Sequence, residues 1–167
     1  MGHYLNALIT RLPVDERRAA ELGVAVVFEG GFAILPIVPE SLDVWAEELG
    51  VKYEPFSDKI QVDCSVTHRL AADLGITDYS LIETEYFGGV GTQSASYYRN
   101  GEAVIQEVAI NDVLHRLGVT IAAGRTDEFD TIGLPHFRKT DDDRFWDAVE
   151  YGRRVGNILV GKRRFKY

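Results

Sequence analysis

YSLIETEYFGGVGTQSASYYRNGEAVIQEV, residues 79–108, decides the fold of this chain. It contains three runs rich in aromatic and β-branched residues, Tyr79 to Phe87, Thr92 to Arg99 and Glu102 to Val108. The last two flank Asn100-Gly101, and Asn-Gly is the strongest short hairpin signal because a type I′ turn needs positive φ at both central residues. The first two are separated by a glycine-rich stretch. Three consecutive strands joined by short turns predict an antiparallel meander.

Upstream, Val24 to Glu29 and Phe32 to Val38 flank Gly30-Gly31 and read as a second hairpin, and Tyr4 to Ile9 reads as a further strand. Helices are announced by their ends. Leu22-Gly23-Val24, Leu49-Gly50-Val51, Leu74-Gly75-Ile76 and Leu117-Gly118-Val119 each place Gly before a β-branched residue. With Gly at C′ in the left-handed region, a hydrophobic C″ residue folds back on C3, and the C3 positions are apolar in every case: Ala19, Ala46, Ala71 and Leu114. Leu42, Trp45, Ala46 and Leu49 keep the i, i+3, i+4, i+7 spacing of a helix face, as do Ile110, Val113, Leu114 and Leu117. Val66, Leu70, Ala71 and Leu74 follow nearly the same stripe, with Ser65 as the expected N-cap. A fifth helix is expected from about Thr140, where Thr140 and Asp143 have capping-box spacing, with Asp141 to Asp143 in its first turn and Arg153 and Arg154 in its last. The pattern predicts one α+β domain over 1–167, a mainly antiparallel sheet built from hairpins and a meander with about five helices packed against it.

Composition narrows the function classes. A net charge of −8 argues against a nucleic-acid or anionic-membrane binder, which needs a positive field, and suits a basic partner. Cys64 is the sole cysteine, which fits a reducing compartment, and Met1 to Arg11 lacks the plan of a secretion signal. The apolar runs Val24 to Phe28 and Phe32 to Val38 are too short to span a bilayer, so a cytoplasmic protein is expected.

Candidate chemistry is sparse. Glu83 and Glu85 lie two apart on a strand, which puts both carboxylates on one face about 6–7 Å apart. That could serve acid/base work on a glycosidic bond, but a solvated sheet face is the commoner explanation of such a pair. Cys64 and His68 are four apart at a helix start, where a thiol could be activated; free Cys is more often a small buried hydrophobe. Asp127, Glu128 and Asp130 supply oxygens near His136, yet neither an EF-hand run nor a paired-histidine zinc spacing is present. Gly88, Gly89 and Gly91 lack the following helix and the Lys-Ser/Thr pair of a phosphate loop, and the commoner reading of glycines in strand-rich sequence is a flexible or bulged hairpin with close backbone approach. No metal or organic cofactor is therefore expected, and no catalytic residue is assigned. Residues 151–167 hold six basic side chains and no acid, which could touch nucleic acid but on an acidic chain more often pairs with its own surface.

The run Glu83 to Ala95, together with Asp127 to Asp130 and Gly133-Leu134, resembles a segment of small bacterial proteins of unassigned function. In size, charge and class the chain also resembles immunity proteins, which neutralise a toxin by binding it. The acidic charge and the missing catalytic motifs, together with that resemblance, lead to the expectation of a non-catalytic intracellular binding protein with a basic protein partner; a structural or regulatory homo-oligomer is a further alternative. The contact expected is the glycine loop: Glu85, Tyr86, Phe87, Gly88, Gly89, Gly91, Thr92 and Gln93. The alternative expectation is a small hydrolase or ligand-binding enzyme whose site is assembled by the fold.

Overall fold

The computed structural model describes residues 2–137. Its elements follow the expected order: β1 (His3–Arg11), α1 (Glu16–Leu22), β2 (Val27–Glu29), β3 (Phe32–Pro36), α2 (Leu42–Leu49), α3 (Ser65–Asp73), β4 (Asp78–Phe87), β5 (Val90–Arg99), β6 (Glu102–Val108), α4 (Ile110–Leu117) and the one-turn α5 (Glu128–Thr131). The strands form a single sheet in the order β2-β3-β1-β4-β5-β6, and every pairing is antiparallel. The fold is α+β. The fifth helix expected from Thr140 and the basic segment 151–167 lie outside the described residues.

All four Leu-Gly stops are helix caps. Gly23, Gly50, Gly75 and Gly118 have φ of 70, 64, 70 and 102°. In each, the residue after Gly donates its N–H to the expected C3 carbonyl: Val24 to Ala19 at 2.8 Å, and Val51 to Ala46, Ile76 to Ala71 and Val119 to Leu114 at 2.9 Å. These are Schellman motifs, and they explain a difference from expectation. Val24 is consumed in the cap of α1, so β2 starts only at Val27, not at Val24. The N-cap of α3 differs too. Cys64 is the extended residue preceding that helix, while the Ser65 hydroxyl donates to the Lys52 carbonyl and accepts from the Glu54 N–H, tying down the incoming loop.

The sheet is covered on both faces. Leu8, Leu35, Tyr79, Leu81 and Tyr98 point to a first face, where they pack with α1, α2, α3 and the 51–64 loop. Leu5, Ala7, Ile9, Ile34, Ile82 and Tyr97 point to the second face, under α4 and Leu134 and Phe137. Burial on both sides is why β1 reads as a nearly continuous apolar run (Leu5 and Ala7 to Ile9, interrupted by the buried Asn6) instead of a strict alternation. Among the described residues the cover thins over the outer strands β2 and β6 and at the far end of the β4–β5 hairpin, where Glu85, Phe87 and residues 90–93 are exposed.

Candidate functional site

The glycine stretch is not a loop. Gly88 and Gly89, at φ of 59 and 81°, form a two-residue turn, and the strands run up to it with Phe87 paired to Val90. Gly91 lies inside β5, and a Cβ there would come within 1.9 Å of the Glu85 carbonyl oxygen and 2.6 Å of the Tyr86 Cα. This glycine exists for close backbone approach between the two strands. Alternation then divides the expected contact residues. Glu85, Phe87 and Thr92 lie on the first face, whereas Tyr86, Gly91 and Gln93 lie on the second. At the tip, Phe87 and Val90 are 81% and 79% exposed, so two apolar side chains stand in solvent at the end of the longest hairpin.

Register builds a polar surface behind that tip. Across β1, β4 and β5, Asn6, Glu83 and Ser94 form one row of the first face, and Tyr4, Glu85 and Thr92 form the next. The 51–64 loop roofs one side: the Gln61 N–H donates to Glu83 Oε2 at 2.6 Å, and the Tyr4 hydroxyl donates to Gln61 Oε1 at 3.3 Å. Burial pushes the Glu83 carboxyl above the usual range; the Gln61 bond opposes this and the Glu85 charge adds to it. None of the ion pairs among the described residues involves Glu83 or Glu85.

Deeper on the same face lies a cluster that local sequence patterns did not reveal. Asp63 is fully buried; its Oδ1 accepts from His68 Nε2 at 2.7 Å and its Oδ2 from the Tyr98 hydroxyl at 2.5 Å. His68 Nδ1 lies 2.5 Å from the Tyr79 hydroxyl, and Gln106 donates to the Tyr98 oxygen at 3.1 Å. Desolvation pushes both phenols up, and the hydrogen bond to Asp63 pushes Tyr98 further, so both stay protonated and able to donate. The Phe56 ring lies 5.4 Å from the His68 ring. With both imidazole nitrogens engaged and the carboxylate shielded, the cluster fastens the 53–64 loop to the sheet. It leaves no nucleophile or base exposed. Counting back equally from a two-residue turn places Tyr79 opposite Tyr98, so that half of the cluster was legible once the turn was set correctly. Asp63 was not, because a loop delivers it.

The remaining sequence candidates come apart. Cys64 is fully buried, with its Sγ 3.6 Å from Thr67 Oγ1, and the His68 ring serves Asp63 and Tyr79 instead. Asp127 Oδ1 accepts from the Asp130 N–H at the start of α5, and Asp130 in turn accepts from Thr126 and pairs with Arg125. These acids shape a turn, and His136 is exposed away from them. Among the described residues no three His, Cys, Asp or Glu side chains are placed to hold a metal ion, and no helix is long and apolar enough to cross a membrane. A groove of about 340 Å³ between β6, α4 and α5 is lined by Ile105, Asn111, Asp112, His115, Arg116 and Glu128, with His115 Nδ1 3.4 Å from Glu128 Oε1.

Fold and site together define an antiparallel α+β domain whose β4–β5 hairpin carries an apolar tip and a flank with two carboxylates that no cation pairs with among the described residues. Comparison of the chain with protein-family models, with curated proteins and with solved structures finds no match in any of the three.

Proposed function

We propose that this protein is a non-catalytic binding protein that engages a basic macromolecular partner through the end of the β4–β5 hairpin, in the manner of an immunity protein neutralising its target. One observation carries the reading: Phe87 and Val90 stand almost fully in solvent on the hairpin that also carries Glu83 and Glu85, and among the described residues no cation pairs with either carboxylate. Large apolar side chains exposed together cost solubility unless a partner covers them, and aromatic anchors ringed by charge are the usual material of interfaces. The surrounding charge favours a basic protein. Residues 1–137 hold 21 acidic against nine basic side chains, so association is expected to be fast and steered by charge.

Immobilised protein, exposed to lysate at low and high salt, tests this. A partner should be retained at low salt and released at high salt, because exposed charges are screened over about 8 Å at physiological ionic strength. The double variant Phe87→Ala, Val90→Ala should lose it with circular dichroism unchanged. A second reading, a small hydrolase or ligand-binding enzyme, draws on the α4–α5 groove, whose volume is in the range of small-molecule sites. Turnover abolished by His115→Ala, with no salt-sensitive partner captured, would establish that reading instead.

A further inference from the structure

Half-buried carboxylates in folded proteins are normally paired with a cation or saturated with donors, because desolvation without compensation is costly. Glu83 departs from this. It is partly buried at the centre of the sheet, between Asn6 on β1 and Ser94 on β5; it accepts one hydrogen bond, from the Gln61 N–H, and the charge that acts on it among the described residues is another acid, Glu85. Beside it is a second anomaly. Ser94, directly opposite Glu83, is 7% exposed, and its hydroxyl is buried without a hydrogen-bond partner among the described residues. Residues that form a cross-strand pair share a face, so Ser94 and Glu83 lie on the same side of the sheet. A buried hydroxyl left unpaired is costly, and a ligand that donates to it and to the carboxylate accounts for both groups.

The chemistry of that ligand follows from what surrounds them. Glu85 and Thr92 continue the slot one row outward, and the rings of Tyr4 and Phe87 lie on the same face in this and the next row. Two carboxylates at successive same-face positions of one strand stand about 6–7 Å apart, too spread for the compact oxygen shell of a calcium or magnesium ion but suited to an extended organic cation. Such a cation has several N–H donors for carboxylate and hydroxyl acceptors, and an apolar stem to lie along aromatic rings. We propose that Glu83, Ser94, Glu85 and Thr92 form a receptor for the cationic head of one lysine or arginine side chain, presented by the basic partner, with Tyr4 and Phe87 flanking its stem. This rests on the binding reading above and names the contact that gives it charge specificity.

The test uses the full-length protein and three probes: N-acetyl-arginine amide, N-acetyl-lysine amide and the neutral isostere N-acetyl-citrulline amide, followed by amide chemical shifts. The two cations should produce saturable shifts at Gln61, Glu83, Thr92 and Ser94, and citrulline should not. Glu83→Gln should weaken cation binding about tenfold, in line with the loss of a charge-assisted hydrogen bond. Ser94→Ala should weaken it several-fold while melting no lower than the parent, since an unpaired buried hydroxyl is removed. Equal shifts from citrulline, silence at those four amides, or undiminished binding by Glu83→Gln overturns the receptor. If Glu83→Gln without any probe moves the amide signals of residues 151–167, the cation is this chain's own and the assignment to a partner falls. Failure of the two proposals is separable. A captured partner lost by Phe87→Ala, Val90→Ala but kept by Glu83→Gln refutes the receptor and leaves the binding reading standing. Cation binding at the four amides with no partner captured supports the receptor and refutes recognition of a macromolecule.

Discussion

Replacing Gly118 with valine separates two costs that coincide at the end of α4. The first is conformational. Gly118 sits at φ 102°, and an L-residue held in left-handed backbone loses about 1–2 kcal/mol, with β-branching at the upper end. The second is local to this cap. A Cβ at position 118 would fall 1.7 Å from Nη2 of Arg11, whose Nε donates to the Leu117 carbonyl at 2.5 Å. The guanidinium is the far end of a flexible side chain and can swing away, but it then forfeits a charged hydrogen bond to a helix C-terminus, about 0.5–1 kcal/mol at a partly exposed site. Gly118→Val should therefore cost about 2–3 kcal/mol, which for a chain of this size lowers Tm by roughly 4–12 °C. Gly50 supplies the control, since its φ is 64° and nothing lies within 4 Å of its would-be Cβ. Gly50→Val should show the conformational cost alone, about 1–2 kcal/mol. Urea unfolding of both variants, alone and with Arg11→Ala, reads the difference. In the Arg11→Ala background the excess cost at position 118 should vanish. Equal costs at 50 and 118, or strict additivity of Gly118→Val with Arg11→Ala, would refute the account of this cap.

Three further outcomes are expected. Tyr98→Phe removes one of the two side-chain donors to the fully buried Asp63 carboxylate, and should cost about 1.5–3 kcal/mol by urea unfolding; a loss under 0.5 kcal/mol would mean that the cluster does not fasten the 53–64 loop. Because burial raises the Glu83 carboxyl in the folded state, the native form penalises its charge, and stability from this group falls as pH rises through and beyond the ordinary glutamate range. Glu83→Gln should accordingly stabilise the protein at pH 7 and lose that advantage as pH drops below about 4; a variant less stable than the parent at pH 7 contradicts this. Gly91→Ala forces a Cβ against the Glu85 and Tyr86 backbone, both unable to give way cheaply, and should cost about 1–3 kcal/mol or more, with amide exchange accelerated at the hairpin end first; unchanged exchange there would show that the strands can part without strain.

Legibility in the sequence depended on how local each interaction is. The Schellman caps were readable residue by residue, down to the C3 carbonyls of Ala19, Ala46, Ala71 and Leu114, because all their partners lie within six residues. Asn100-Gly101 and Gly30-Gly31 were readable for the same reason, since each turn needs only its own positive φ. Even the shared face of Glu83 and Glu85 followed from strand periodicity alone. What the sequence withheld was long-range. Whether Gly91 ended a loop or sat inside a strand depended on the Glu85 carbonyl opposite it. Reading Gly88 to Gly91 as one loop hid the Phe87–Val90 closure and the division of the expected contact residues between two faces. Asp63 reaches His68 and Tyr98 only because a loop crosses the sheet, and no periodicity links residue 63 to residue 98. The bulges that shift β6 by one residue at a time likewise arise from pairing with β5, where Glu107, at φ 53°, donates its N–H to the Ser96 hydroxyl. Sequence by itself determined the order of the elements up to α4, the four glycine C-caps and the Asn100-Gly101 and Gly30-Gly31 turns, since those energies are set by neighbours in the chain. Tertiary structure alone decided that both sheet faces would be covered, that the far end of the β4–β5 hairpin would stay exposed, and that Glu83 and Ser94 would meet with nothing charged between them, since each depends on what burial brings together from distant parts of the chain.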